Sequence, residues 1–267
     1  MMRKRYLNTF LIVTVLVLFS SCASVYQPSA LHVPGLEKRK DLTVKGSVGT
    51  SGGDVSLAFS PLRNFGIFGQ FTSALGETEE NETTIEKNHN IFQGGLGYYN
   101  VLSEELRFET YFVYGTGTAA NQLRPSLSAS LINNQTQELY LKGRFNQFSL
   151  LTGITQYDAD LMTISFFTRI VYGRFIRHNG HVRQKATGEM YPLENPANHF
   201  RARDFFTVEP VFHAEYKHKY FNVIMQAGYS MKMSEMQGEY NPLIINLGMA
   251  FNFSLASKSQ KRNPLYE

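Results

Sequence analysis

The sequence predicts an all-β fold, an antiparallel up-and-down transmembrane β-barrel of about ten strands behind a lipoprotein signal peptide. Three observations carry this. Apolar and polar residues alternate with period two from residue 42 to 253. The connectors between the alternating segments sort by length, long ones on one side and tight ones on the other. The chain opens with a secretion signal that stops at Cys22.

Residues 1–21 are read as the signal. Arg3, Lys4 and Arg5 precede the apolar run FLIVTVLVLF of residues 10–19, and Ser20 and Ser21 follow it. A transmembrane helix would need ~20 apolar residues, and this run stops at about half that. Cys22 is the only cysteine in the chain, so no internal disulfide can form. Its place directly behind the run resembles the lipobox of bacterial lipoproteins, with Phe19 where leucine is commonest, and the resemblance implies lipidation at Cys22. The bland alternative is an ordinary signal cut nearby, leaving a free thiol. Residues 22–41, with Pro28, Pro34, Gly35 and the charged run Glu37 to Asp41, read as a lipidated tether.

Composition suits a barrel that fills residues 42–253 as one domain. The chain holds 21 Phe, 15 Tyr and 21 Gly, no Trp, and 43% hydrophobic residues. Its mean hydropathy lies slightly below neutral, which excludes a helical membrane protein with several long apolar runs. A strand with one face to lipid and one to a polar interior averages in this way. The net charge of +4 is scattered, which does not argue for nucleic acid.

The predicted strands are 42–50, 53–60, 64–75, 90–101, 105–118, 138–157, 161–176, 204–217, 219–233 and 241–253. Phe206, Val208, Phe212, Ala214 and Tyr216 oppose Thr207, Glu209, His213 and Glu215, and the other strands alternate in the same manner. From a periplasmic start, the outward connectors are 51–53, 76–89, 119–137, 177–203 and 234–240, while the inward ones are tight turns. Two stretches fit less cleanly. Residues 90–101 carry Gly94, Gly95 and Gly97 with mixed faces, and 138–157 is long, with a phase change between Phe145 and Phe148 that suggests a bulge or a strand reaching beyond the membrane. Phe253 ends the last strand, and 254–267 continue as a polar tail with Lys258, Lys261 and Arg262.

Cys22 with its signal, Tyr26-Gln27-Pro28 to Pro34-Gly35, Gly46-Ser47-Val48-Gly49, and Asp54–Ser60 running into Asn64-Phe65-Gly66-Ile67 resemble the outer-membrane β-barrel lipoproteins of Bacteroidota. The likeness covers the first third of the chain, and the rest only by strand pattern. In that group, acids just after the cysteine mark export to the cell surface. Here Ala23, Ser24, Val25 and Tyr26 follow, so the resemblance implies a lipid anchor facing the periplasm. A departure is the polar tail, because many such barrels end on an aromatic residue that the assembly machinery reads.

The face assignment directs Arg107, Glu109, Arg169, Glu209, His213, Glu215 and Lys232 into the lumen. The favoured role is a salt-bridge network that plugs it, and the other is the lining of a small pore. No HExxH or GxSxG occurs, and the reading assigns no catalytic residue, no metal and no cofactor. His178, His181 and His199, with Glu189 and Glu194 in the loop 177–203, are the nearest approach to a site. The same loop carries Arg177, Arg183, Lys185, Arg201 and Arg203, facing five acids in 76–90. Guanidinium groups suit phosphate, so Arg201 and Arg203 are candidate contacts to lipopolysaccharide, the lipid partner this reading names. Three function classes stand: a structural, binding or envelope-maintenance barrel, a small-solute pore, and a periplasmic lipid-anchored barrel binding an apolar ligand. The third requires the inverse orientation, apolar inside and polar outside.

Overall fold

The computed structural model describes residues 27–80, 83–103, 105–125, 137–157, 161–184, 187–193, 204–218, 220–233 and 242–254. The signal, Cys22, His199, Glu194, Lys185, Arg201, Arg203 and the tail beyond 254 lie outside the described residues.

The strands are β1 (Asp41–Gly49), β2 (Gly52–Leu62), β3 (Phe65–Glu80), β4 (Thr83–Val101), β5 (Leu106–Pro125), β6 (Gln137–Tyr157), β7 (Met162–Gln184), β8 (Met190–Pro192), β9 (Asp204–Lys217), β10 (Asn222–Tyr229), β11 (Met231–Lys232) and β12 (Leu243–Ser254). Every paired neighbour is antiparallel. The wall runs β1 to β7 in order, then β9, β10 and β12. It closes where β12 meets β1, from Asp41↔Ser254 to Gly49↔Asn246. Ten strands therefore make a closed barrel, while β8 folds back on β7 and β11 extends along β9.

Alternation sets the faces. Along β5, Arg107, Glu109, Tyr111 and Val113 are buried, while Phe112 and Tyr114 are 68% and 46% exposed. Val55, Leu57, Ile67, Phe92, Phe148, Met225, Leu247 and Phe251 likewise point outward and exposed. A belt of exposed aromatic and aliphatic side chains around a polar interior is the arrangement that hydrocarbon stabilises. From Phe108 to Thr116 the chain climbs about 27 Å along the strand, or about 21 Å of depth at a ~40° tilt. The inverted, apolar-lumen reading is overturned by this polarity.

The strands at the long-loop end run further than alternation indicated. β3 and β4 pair as far as Glu80↔Thr83, β4 and β5 as far as Thr83↔Pro125, and β6 and β7 as far as Gln137↔Gln184. Much of the expected loops 76–89, 119–137 and 177–203 is therefore sheet. Above an apolar belt both faces of a strand meet polar surroundings, so pairing continues after the apolar alternation stops.

β6 itself keeps phase: Phe145 faces in and Phe148 faces out. The irregularity lies opposite, on β7, where Arg144 pairs with Arg177 but Phe145 pairs with Phe175, leaving Ile176 as the extra residue. Gly173 lies under the Phe205 ring, where a Cβ would come 1.9 Å from Phe205 Cζ, so that aromatic packs flat on the wall. With Ile91, Ala119, Phe145, Val171 and Phe175, Phe205 forms an apolar cluster inside the barrel.

Candidate functional site

An eight-stranded barrel leaves an interior that side chains just fill, and ten strands leave room for more. Here that room is taken by the chain itself. Residues 28–34 and Leu36 are buried, Leu36 fully, whereas sequence reasoning placed them in an external tether. The wall does begin at Asp41, and what differs is that the stretch before it lies inside the barrel. The stretch Ala30-Leu31-His32-Val33-Pro34-Gly35-Leu36 is apolar enough to have signalled burial. Leu31 and Val33 pack among Tyr111, Val113, Leu151, Phe167, Val211 and Ile244, which come from β5, β6, β7, β9 and β12. The segment thus stands within the ring of strands.

Buried backbone polar groups need partners. No strand pairs with this segment, and lumen side chains supply the donors instead. Arg169 Nη2 donates to the Ser29 carbonyl at 2.7 Å, and Gln70 Nε2 donates to the Ala30 carbonyl at 2.7 Å. Gln226 Nε2 donates to the Leu31 carbonyl. Arg107 Nη1 donates to the Leu36 carbonyl at 3.0 Å. Pro28 and Pro34 remove two backbone donors that would otherwise need acceptors. Gly35 takes φ +69, a left-handed conformation that glycine adopts without steric cost, and it turns the segment toward β1.

The segment has a direction. Gln27 Nε2 donates to the Thr50 carbonyl in the β1–β2 turn, at the long-loop end. At the other end the Glu37 and Lys38 amides donate to Asp41 Oδ2, where β1 begins at the short-turn mouth. The nine-residue step from Gln27 to Leu36 can reach at most about 30 Å. From Gln27 at the long-loop mouth the segment therefore descends through the lumen and turns up into the wall at the other mouth.

Around this segment the charges are paired. Arg169 faces Glu209 across β7 and β9, with Nε donating to Oε2 at 2.6 Å and both side chains buried. Glu209 Oε1 also accepts from Thr207 and Ser230 hydroxyls at 3.0 and 2.9 Å. Arg107 and Glu109 stack along the inner face of β5, Nε to Oε1 at 2.6 Å, with the Tyr111 hydroxyl donating to Glu109 at 3.1 Å. Glu215 pairs with Lys45 at 2.8 Å and accepts from Asn222 at 2.6 Å, and His213 Nε2 lies 3.5 Å from Glu215. His32 of the segment meets Asp54, which accepts from the Ser47 hydroxyl at 2.7 Å.

Six of the seven sequence-named lumen residues are thus buried in the interior, in three groups. Lys232 stands apart, half-buried on short β11 opposite Thr207. Sequence reasoning missed Lys45, Asp54 and His32. The first two occupy inward positions of β1 and β2, beside Ser47 and Ser56, and were legible from phase. His32 was hidden by the tether assignment.

The loop candidates do not converge. His178 and His181 lie on β7 three residues apart, half-buried and exposed respectively, and Glu189 bonds the Tyr191 hydroxyl. Among the described residues no group of three or more His, Cys, Asp or Glu is placed to hold a metal ion.

No family model matches the chain, and no curated protein matches it. Solved structures with similarity are themselves barrels of low identity. The outer membrane protease OmpT from Escherichia coli shares 7% identity at a TM-score of 0.40, over 80% of this chain and 93% of that chain. The translocator domain of autotransporter NalP from Neisseria meningitidis shares 11% at 0.39, over 80% and 87%. A KdgM porin shares 10% at 0.32, over 80% and 99%. The likeness is one of weak overall shape and assigns no role.

Proposed function

We propose that this chain is an outer-membrane barrel closed by its own N-terminal segment, with a structural, binding or envelope-maintenance role rather than a conducting or catalytic one. The observation that supports this reading is the Ser29 carbonyl and hydroxyl held by Arg169, itself locked to Glu209. An open path for solute would have to remove that guanidinium's partners. Each charge of the lumen network already has an opposite charge beside it, so the interior offers a solute no free ionic site among the described residues. The barrel's remaining surfaces, its long-loop end and its lipid-facing wall, are where a partner meets it.

The direction of the segment bears on the anchor. Cys22 lies five residues before Gln27, a reach of at most about 17 Å. The apolar band of such barrels is ~25 Å tall. With Gln27 at the Thr50 turn, that short reach supports the leaflet at the long-loop end for a lipid on Cys22, where the missing acids implied the periplasmic leaflet.

The test is a planar-bilayer recording of purified protein that migrates faster unboiled than boiled. Silence supports the closed reading. Discrete conductance steps from the intact chain would overturn it in favour of the small-solute pore.

A further inference from the structure

The outer wall changes character sharply across β4 to β9. Neighbouring strands place Gly94, Tyr114, Phe148, Tyr172 and Phe206 in one row facing outward. Gly94 leaves this row one side chain short. A groove of about 700 Å³ lies there, lined by Leu96, Phe112, Tyr114, Phe148, Tyr172 and Phe206. One row higher, toward the long loops, stand Thr116, Asn146, Arg174 and Asp204, and the row above that brings Arg144 against Arg177. Lys142 follows on the next row, beside Asn179.

Arg144, Arg177 and Lys142 are all exposed. Like charges directly opposite one another on a sheet destabilise it. This pair exists because of the β7 irregularity. Phe175 points inward, so an uninterrupted strand would send residue 177 inward as well. The extra residue Ile176 turns Arg177 out beside Arg144. Nearby acids are engaged elsewhere: Glu86 with Arg124 at 2.8 Å, Asp204 with Arg174 at 3.4 Å. Among the described residues neither Arg144 nor Arg177 has an acidic partner.

An apolar groove capped, about 10 Å higher at two rows of ~5 Å each, by two unpaired guanidinium groups fits one chemistry. We infer that this wall binds a phosphorylated lipid of the outer leaflet, of the lipopolysaccharide class. An acyl chain occupies the groove, and a phosphate bridges Arg144 and Arg177, with Lys142 and Arg174 flanking it. Charge-assisted, forked hydrogen bonds from guanidinium to phosphate relieve the like-charge contact. This inference names phosphate contacts other than Arg201 and Arg203, which lie outside the described residues. It rests on the proposed orientation with the long loops outward, and it is independent of whether the lumen conducts.

The test uses the full chain, purified in mild detergent and shown folded by its faster unboiled migration. Retention of a diphosphorylated lipid A-type glycolipid is measured by lipid mass and phosphate content, against the same lipid stripped of phosphate. Arg144→Gln with Arg177→Gln should lower retention of the phosphorylated lipid by about tenfold or more, as expected for losing hydrogen bonds to a charged group. Arg63→Gln, an exposed site at the short-turn end, should change nothing. Gly94→Leu gives a second reading without touching charge. A Cβ on Gly94 meets nothing nearer than the Phe68 carbonyl oxygen at 3.8 Å, so the barrel accepts the side chain while the groove fills. It too should lower retention. Equal retention by both folded variants, equal retention of the phosphate-free lipid, or displacement of the lipid by millimolar inorganic phosphate alone would each overturn the inference.

Discussion

Arg169 on β7 and Glu209 on β9 stand directly opposite one another across neighbouring strands of the wall, and the guanidinium that binds Glu209 also clasps both oxygens of Ser29. One side chain thus joins two strands of the wall to the segment that fills the lumen. Removing it strands Glu209, leaving two hydroxyls and no cation. Arg169→Ala should therefore cost about 3–5 kcal/mol, the range for breaking a buried pair from one side. A denaturant titration of the unboiled gel shift reads this directly. Arg169→Met with Glu209→Leu should recover much of the loss, since an apolar replacement leaves no buried charge. Failure of the double variant to recover would mean that the bonds to Ser29, not the ion pair, carry the stability.

Residues 28–36 fill the lumen without pairing to any strand, so the wall's hydrogen bonds do not depend on them. Deleting this stretch, with a flexible replacement of the same length, should leave a barrel that still shifts on unboiled gels. Its lumen would expose Arg107, Arg169, Gln70 and Gln226 to water. In planar bilayers this variant should show discrete conductance where the intact chain is silent. A folded but silent variant would place the block in the aromatic cluster around Phe145 and Phe205 instead.

The wall was legible because period two is a local property: Val223, Met225, Ala227 and Tyr229 declare their face without knowledge of any partner. The ends of strands were less so. Glu77, Asn88 and Gln122 lie on paired backbone above the apolar belt, where hydrogen bonding continues but polarity no longer alternates. The lumen segment was harder still. Its backbone is satisfied by Arg169, Gln70, Gln226 and Arg107, residues 40 to 195 positions away in sequence from their acceptors. Nothing local marks such a dependence except the apolar run from Ala30 to Leu36. The bulge was sensed at the right height, but on β6 rather than β7. Aromatic residues on both faces of β6, Phe145 inward and Phe148 outward, mimic a change of phase.

The contact between Gly173 and Phe205 gives a packing prediction. A methyl group at 173 would meet the Phe205 ring at 1.9 Å, so Gly173→Ala must displace the ring within a filled interior. Overpacking of this kind costs about 1–3 kcal/mol. In a Phe205→Leu background the same substitution should cost clearly less. Comparison of denaturant midpoints for the four combinations checks it, and an equal cost in both backgrounds would show that the wall backbone, not the ring, resists the methyl.

The direction of the lumen segment makes a prediction about the living cell. Gln27 reaches the Thr50 carbonyl at the long-loop mouth, and the wall begins at Asp41 at the opposite mouth. A short epitope inserted directly before Gln27 should therefore bind antibody on intact cells. An epitope inserted in the Arg63-Asn64 turn, between β2 and β3, should bind only after the outer membrane is permeabilised. The turn serves as the internal reference for orientation. If both epitopes were reached only in permeabilised cells, the segment would have to enter from the periplasmic mouth, and the anchor on Cys22 would return to the inner leaflet. With the epitope before Gln27 reached on intact cells, labelled palmitate incorporated at Cys22 and lost in Cys22→Ala would belong to a lipid at the cell surface.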